Sequence, residues 1–142
     1  MKPRDSLFLV LLSIASGLNR YFFLKTSNFS IDADEAIVGL MGKHFLEGGN
    51  VSVFYYGQHY MGSLEAILAG ISFSILGVSS FTLKLVPFVF SIFFIWCVYV
   101  LTNKIYGRAP AWIASILCSF PAQILVDWGA KARGGFIEIV VL

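Results

Sequence analysis

The residues able to do chemistry are concentrated between positions 30 and 65. Asp32, Asp34, Glu35, Glu47 and Glu65 are five of the chain's eight carboxylates, and both histidines, His44 and His59, lie among them. No further acidic residue occurs until Asp127. A carboxylate followed by Tyr56, Gln58 and His59 suits a site that accepts a proton from a hydroxyl and hydrogen-bonds a hydroxyl-rich ligand. Much later, Lys131 and Arg133 stand two apart ahead of Gly134 and Gly135. Cations beside glycines allow close backbone approach to a ligand, and the planar fork of arginine matches phosphate oxygens. Together these groups supply a proton acceptor for a hydroxyl and cations for an anionic ligand. Asp34 and Glu35 are the candidates for the reacting end. Tyr56, Gln58, His59, Glu65, Lys131 and Arg133 are the candidates for binding substrate.

Each of these residues also has a plainer reading. Asp32 and Glu35 are three apart ahead of Ile37, Leu40, Met41 and Phe45, an apolar face at helical spacing, and so form a capping box. Asp34 is not the cap in that register. It lies in the first turn, where it either complements the helix dipole or faces a ligand. The dipole lowers its basicity, so a late proton transfer, or a divalent cation held by Asp34 and Glu35, is compatible with it. Glu65 either caps the next helix or binds substrate. Lys131 and Arg133 can equally make headgroup contacts at a helix end. His44 and His59 show no metal-ligand spacing, and Cys97 and Cys118 fall in apolar segments as core residues.

The frame for these residues is greasy. The chain is 58% hydrophobic and 13% charged, against about 25% charged in a soluble domain. An all-α integral membrane protein is expected. A net charge of +2 without a basic stripe excludes nucleic acid as a partner. Four apolar segments are expected as spans: 6–24, 81–101, 109–126 with a kink at Pro121, and the start of a fourth at 136–142. A cleavable signal peptide competes for the first, but its 19 residues reach about 28 Å as a helix and cross a bilayer uncleaved. Arg20 would then snorkel to the headgroups. The external loop 25–80 is expected to hold two juxtamembrane helices, about 32–48 and 61–77. The second is too short for a span and suits the interface. Lys104 and Arg108 then lie on the cytoplasmic side with the basic N-terminus. The loop 127–135 shares the outer side with the acidic loop.

In this order the motifs resemble the GT-C superfamily of membrane glycosyltransferases. Asp34-Glu35 follows the first span, a segment from Phe54 through Tyr-Tyr-Gly-Gln-His-Tyr-Met-Gly-Ser-Leu to Glu65 comes next, and Lys131-Ala-Arg-Gly-Gly-Phe136 follows the third span. The nearest likeness is to the bacterial branch of protein O-mannosyltransferases and lipid A aminoarabinose transferases. The resemblance implies a polyprenyl-phosphate-linked sugar donor and a glycan, lipid or protein acceptor. It also implies an essential Asp at Asp34, and an active site outside the inner membrane. It implies as well a longer bundle than these residues make, so an incomplete member is expected, whose activity by itself is open. Where the aminoarabinose transferases carry a Glu-Lys pair, this chain has Gly62 and Ser63. Two other classes fit the composition: a transporter or channel fragment with a cation at Asp34 and Glu35, and a small non-catalytic membrane subunit. Carboxylates clustered in a loop, not within a span, speak against the first.

Overall fold

The structure is a computed structural model and describes residues 3–50 and 52–133. Among them are six helices and no strand: α1 (Pro3–Thr26), α2 (Ala33–Leu46), α3 (Leu64–Leu76), α4 (Ser80–Tyr106), α5 (Arg108–Ser119) and α6 (Gln123–Gly129). Extended pairing is limited to one isolated bridge, Phe54 with Gly62. The expected fourth span at 136–142 lies outside the described residues.

Two helices, α1 and α4, are long and apolar enough to cross a membrane. They pack antiparallel. Leu9 and Leu12 meet Ile95 and Tyr99 in one buried cluster, and the Trp96 indole N–H donates to Ser13 Oγ at 2.9 Å. Gly17 faces Phe88 and Ile92. Helix α5 turns back along them through Gly107, whose φ of +89° and extended ψ suit glycine. At that turn Asp5 of α1 takes the Arg108 guanidinium at 2.6 Å and the Trp112 indole N–H at 3.3 Å. The start of α1 and the α4–α5 turn therefore occupy one end of the bundle.

The end of α1 and the start of α4 lie at the opposite end, so residues 27–79 leave and return on the same side. Helices α2 and α3 form a hairpin there, packed through Val38, Met41, Ala66, Ala69 and Phe73 onto Leu83 and Val86 of α4. With 13 residues, α3 is about 20 Å long. The hairpin closes because glycines face each other. A Cβ on Gly42 would lie 2.9 Å from the Ala66 carbonyl oxygen, and one on Gly70 would lie 2.7 Å from that of Gly42.

The expected third span departs from its sequence reading. A kink was expected at Pro121, but α5 stops at Ser119 and α6 restarts at Gln123. The proline disfavours helical geometry at Phe120 and cannot donate an N–H. The break strands the last carbonyls of α5, and Arg20 covers them. Its guanidinium donates to the carbonyls of Ser119 at 3.2 Å and Cys118 at 3.4 Å, and to Ser16 Oγ. Arg20 is only 5% exposed. It does not snorkel outward, because a helix C-terminus offers it carbonyl acceptors and a favourable dipole inside the bundle.

The surface inverts the usual polarity. Leu7, Leu11, Ile14, Leu18 and Phe22 of α1, Val89, Phe93 and Val100 of α4, and Ile113 and Leu117 of α5 face outward. Ser16, Arg20, Ser91, Ser115 and Ser119 are buried.

The glycine contacts make a prediction. Gly42→Ala should destabilise the protein by about 1–3 kcal/mol, as overpacking a tight contact does, because backbone and not a flexible side chain stands in the way. Gly62→Ala, with open space at its Cβ, should change stability by under about 0.5 kcal/mol. Thermal unfolding of both variants in the same detergent checks this. Equal stability of the two would show that the α2–α3 contact is looser than the glycines imply.

Candidate functional site

The site begins with the capping box. The Asp32 side chain accepts from the Glu35 N–H at 3.0 Å, and Glu35 Oε2 accepts from the Asp32 N–H at 3.1 Å. This satisfies two of the donors that every helix start leaves open. The other oxygen of Glu35 reaches further. Oε1 accepts from Lys84 Nζ of α4 at 2.6 Å and from the backbone N–H of Ala132 at 3.0 Å. Glu35 is fully buried, and Lys84 nearly so. One carboxylate thus fastens α2 to α4 and draws the strand of chain after α6 against both.

That fastening delivers the two expected cations. Arg133 Nη2 donates to Asp32 Oδ2, and Arg133 Nε stands 3.9 Å from Asp34 Oδ2. Lys131 Nζ lies 3.5 Å from Asp32 Oδ2 and 3.2 Å from Asp127 Oδ2. Burial alone would push the Asp32 carboxyl up. The Glu35 N–H, the Arg133 hydrogen bond and the charges of Arg133 and Lys131 outweigh that effect and bring it down from 3.8 to about 2. The hydrogen bond to Asp32 holds the Arg133 guanidinium above its ordinary value, against desolvation and with help from the Asp32, Asp34 and Glu35 charges.

Asp34 differs from its neighbours. Its side chain is 57% exposed, and its only ion pair among the described residues is the loose one to Arg133. Its backbone carbonyl accepts from the Tyr55 hydroxyl at 3.1 Å. Burial raises the Tyr55 phenol, and the charges of Asp34 and Asp32 add to the effect. Tyr55 packs in the core shared by α2, α3 and α4, so it locks residues 52–62 beside the first turn of α2.

The other expected binding residues are elsewhere. Tyr56 pairs through its hydroxyl with His44 Nδ1 at 3.1 Å, ten positions beyond Asp34 on α2, or about 15 Å along the helix. Gln58 sits in the turn closed by its N–H to the Tyr55 carbonyl, and His59 is exposed beside it. Among the described residues no contact ties either to the acid–base cluster. Glu65 is buried in the first turn of α3, where free N–H groups favour an anion. Gly134 and Gly135 lie outside the described residues.

The Asp34–Glu35 pair does not fit a divalent cation. Both oxygens of Glu35 are engaged by donors inside the protein, while Asp34 faces out. No group of three or more His, Cys, Asp or Glu side chains able to hold a metal occurs among the described residues.

Three residues of the cluster escaped the sequence reading: Lys84, Asp127 and Tyr55. Lys84 had a signal. A lone cation early in a long apolar helix calls for a buried acceptor, and Glu35 is one of few. Beside the cluster opens a cleft of about 190 Å³ lined by Ser27, Ser30, Asp32, Lys84, Asp127 and Lys131. Comparison with protein families, with curated proteins and with solved structures finds no match to this chain.

The depressed Asp32 carboxyl carries a pH prediction. Its charged form favours the folded state, so its contribution is complete above 3.8 and is lost as pH falls through about 2. Unfolding midpoints measured from pH 5 to pH 2 should fall more steeply in this window for the wild type than for Asp32→Asn, which still caps the helix. Parallel curves would remove the coupling of Asp32 to Arg133 and Lys131.

Proposed function

We propose that this chain works in a GT-C-type membrane glycosyltransferase, moving a sugar from a polyprenyl-phosphate-linked donor to an acceptor hydroxyl outside the bacterial inner membrane. The observation that carries the reading is the pairing of an exposed Asp34 carboxylate with the Arg133 guanidinium at 3.9 Å, at the end of a bundle whose flanks are apolar. In this reading Asp34 accepts the proton of a glycan, lipid or protein hydroxyl as that oxygen bonds to the sugar's anomeric carbon. The bond from that carbon to the phosphate oxygen breaks, and the phosphate leaves on its polyprenyl chain. Arg133 lends its positive charge to the departing phosphate from beside Asp34. Lys131, which shares Asp32 Oδ2 with Arg133, adds positive charge. Asp32 holds both cations in place and is a positioning residue, as is Glu35, which reaches the reaction only through Lys84 and Ala132.

Membrane insertion is supported by the length of α1 and α4 and by the inverted polarity of the surface. Lipid accommodates the outward leucines and phenylalanines, and the buried serines and Arg20 find partners inside. Basic residues near the N-terminus and at Lys104 and Arg108 favour the cytoplasm for that end, and in this reading Asp34 lies outside.

Two experiments test this. Single cysteines at Tyr60 (77% exposed) and Tyr106 (72% exposed) mark the two ends. In intact cells an impermeant thiol reagent should label the first strongly and the second only after lysis. Labelling of both, or of position 106 alone, would overturn the orientation. Asp34→Asn should abolish sugar transfer from a polyprenyl-phosphate donor, a loss of at least about 100-fold for a general base, with insertion and amount intact. Asp32→Asn should retain measurable transfer. Normal transfer by Asp34→Asn would end the assignment.

A further inference from the structure

We infer that the chain seats one phospholipid with a zwitterionic, primary-amine headgroup, its tail between α1 and α4 and its head against Lys131 and Asp127. The inference does not depend on sugar transfer. It starts from two adjoining cavities. The first, about 150 Å³, is a slot formed by Tyr21, Leu24, Phe29, Phe81, Leu85 and Phe88, with Lys84 at its edge. The second is the cleft of about 190 Å³ beside the charge cluster. Leu24 and Lys84 belong to both walls. The cavities adjoin at these two residues, so a molecule that reached across them would meet hydrocarbon in the first and polar groups in the second.

The backbone is strained to shape the slot. Asn28 and Phe29 have φ of 51° and 53°, a left-handed region that a bulky side chain ordinarily avoids. The result is that the Phe29 ring bridges the two long helices, edge-on to Phe81 at 5.3 Å and tilted against Tyr21 at 6.1 Å. It walls the slot where α1 ends.

The charges of the cleft select the head. Lys131 stands between Asp32 and Asp127, and Glu35 is already matched by Lys84. A phosphate entering the cleft takes Lys131 and leaves Asp127 in need of a cation. An ammonium on the same headgroup supplies it, with N–H donors for the carboxylate. A purely anionic head brings nothing to Asp127, and a quaternary ammonium has no N–H to donate. Arg133 and Asp34 do not line this cleft, whereas Lys131 does, so that cation is the one group the lipid head shares with the proposed phosphate site.

The test uses the full chain in phosphatidylcholine vesicles with a trace of phosphatidylethanolamine bearing a photoactivatable group on its acyl chain. A parallel set carries the same group on phosphatidylglycerol. After irradiation, mass mapping should find the phosphatidylethanolamine probe on peptides containing Tyr21, Phe29 or Phe88, about tenfold above the phosphatidylglycerol probe, the ratio one charge-assisted hydrogen bond supplies. Asp127→Asn should erase that preference. Phe29→Gly relieves the backbone and removes the wall, so labelling should fall severalfold while the unfolding temperature is retained. Should that variant fail to fold, Leu85→Trp fills the slot and should give the same loss. Equal labelling by the two probes, or labelling indifferent to slot variants that fold, would overturn the inference. No sugar donor is present, so the outcome is separate from that of the transfer assay.

Discussion

The Glu35 carboxylate is the constraint from which the rest of this structure follows. It has no exposure to solvent, and three donors surround it: the Lys84 ammonium and the N–H groups of Ala132 and Asp32. Removing one partner of such a pair leaves an uncompensated buried charge, at a cost of about 3–5 kcal/mol. The three donors come from α4, from the segment after α6, and from the start of α2. Positions 35, 84 and 132 are thereby fixed at one point, and everything exposed around that point inherits its placement.

A second polar group does the same work deeper in the bundle. Arg20 is buried where an apolar residue would be expected, because the helix it faces is broken. Pro121 ends α5 early, the freed carbonyls need donors, and an arginine one helix away supplies them. Both of these buried charges are explained by a backbone feature beside them: Glu35 by the N-terminus of α2 and the passing Ala132 N–H, Arg20 by the C-terminus of α5. These matches let polar groups occupy the inside while leucines and phenylalanines cover the outside.

Much of this was legible in the residues, and the failures have a common cause. The capping box of Asp32 and Glu35, two short helices in the loop after α1, and the approach of the 127–135 loop to the acidic loop follow from local spacing and from the parity of the apolar segments; the packing of the two helices into a hairpin does not. Local rules did not reveal what a capping residue does with its second oxygen. Glu35 stood beside Asp34 as a candidate for chemistry, yet its remaining oxygen binds partners 49 and 97 positions away. The same limit applies to Arg20, whose carbonyl acceptors are nearly 100 positions away. Tyr55 and Tyr56 are adjacent and chemically identical. Only the packing decides that the first reaches Asp34 and the second turns to His44.

What remains available for chemistry is defined by what the fold has already used. Glu35 has no free oxygen, Asp32 divides its two between the helix start and the cations, and Lys131 is shared between Asp32 and Asp127. Asp34 alone in the first turn of α2 is both exposed and only loosely paired. The nearby Arg133 keeps a buried Nε–H without a hydrogen-bond acceptor among the described residues. A general base must be reachable by its substrate. Under the proposed function Asp34 meets that condition and its neighbours do not. The division follows from helix geometry. Positions 32 and 35 lie on one face of the first turn and are consumed by capping and burial, and position 34 is rotated about 100° from Glu35, toward solvent.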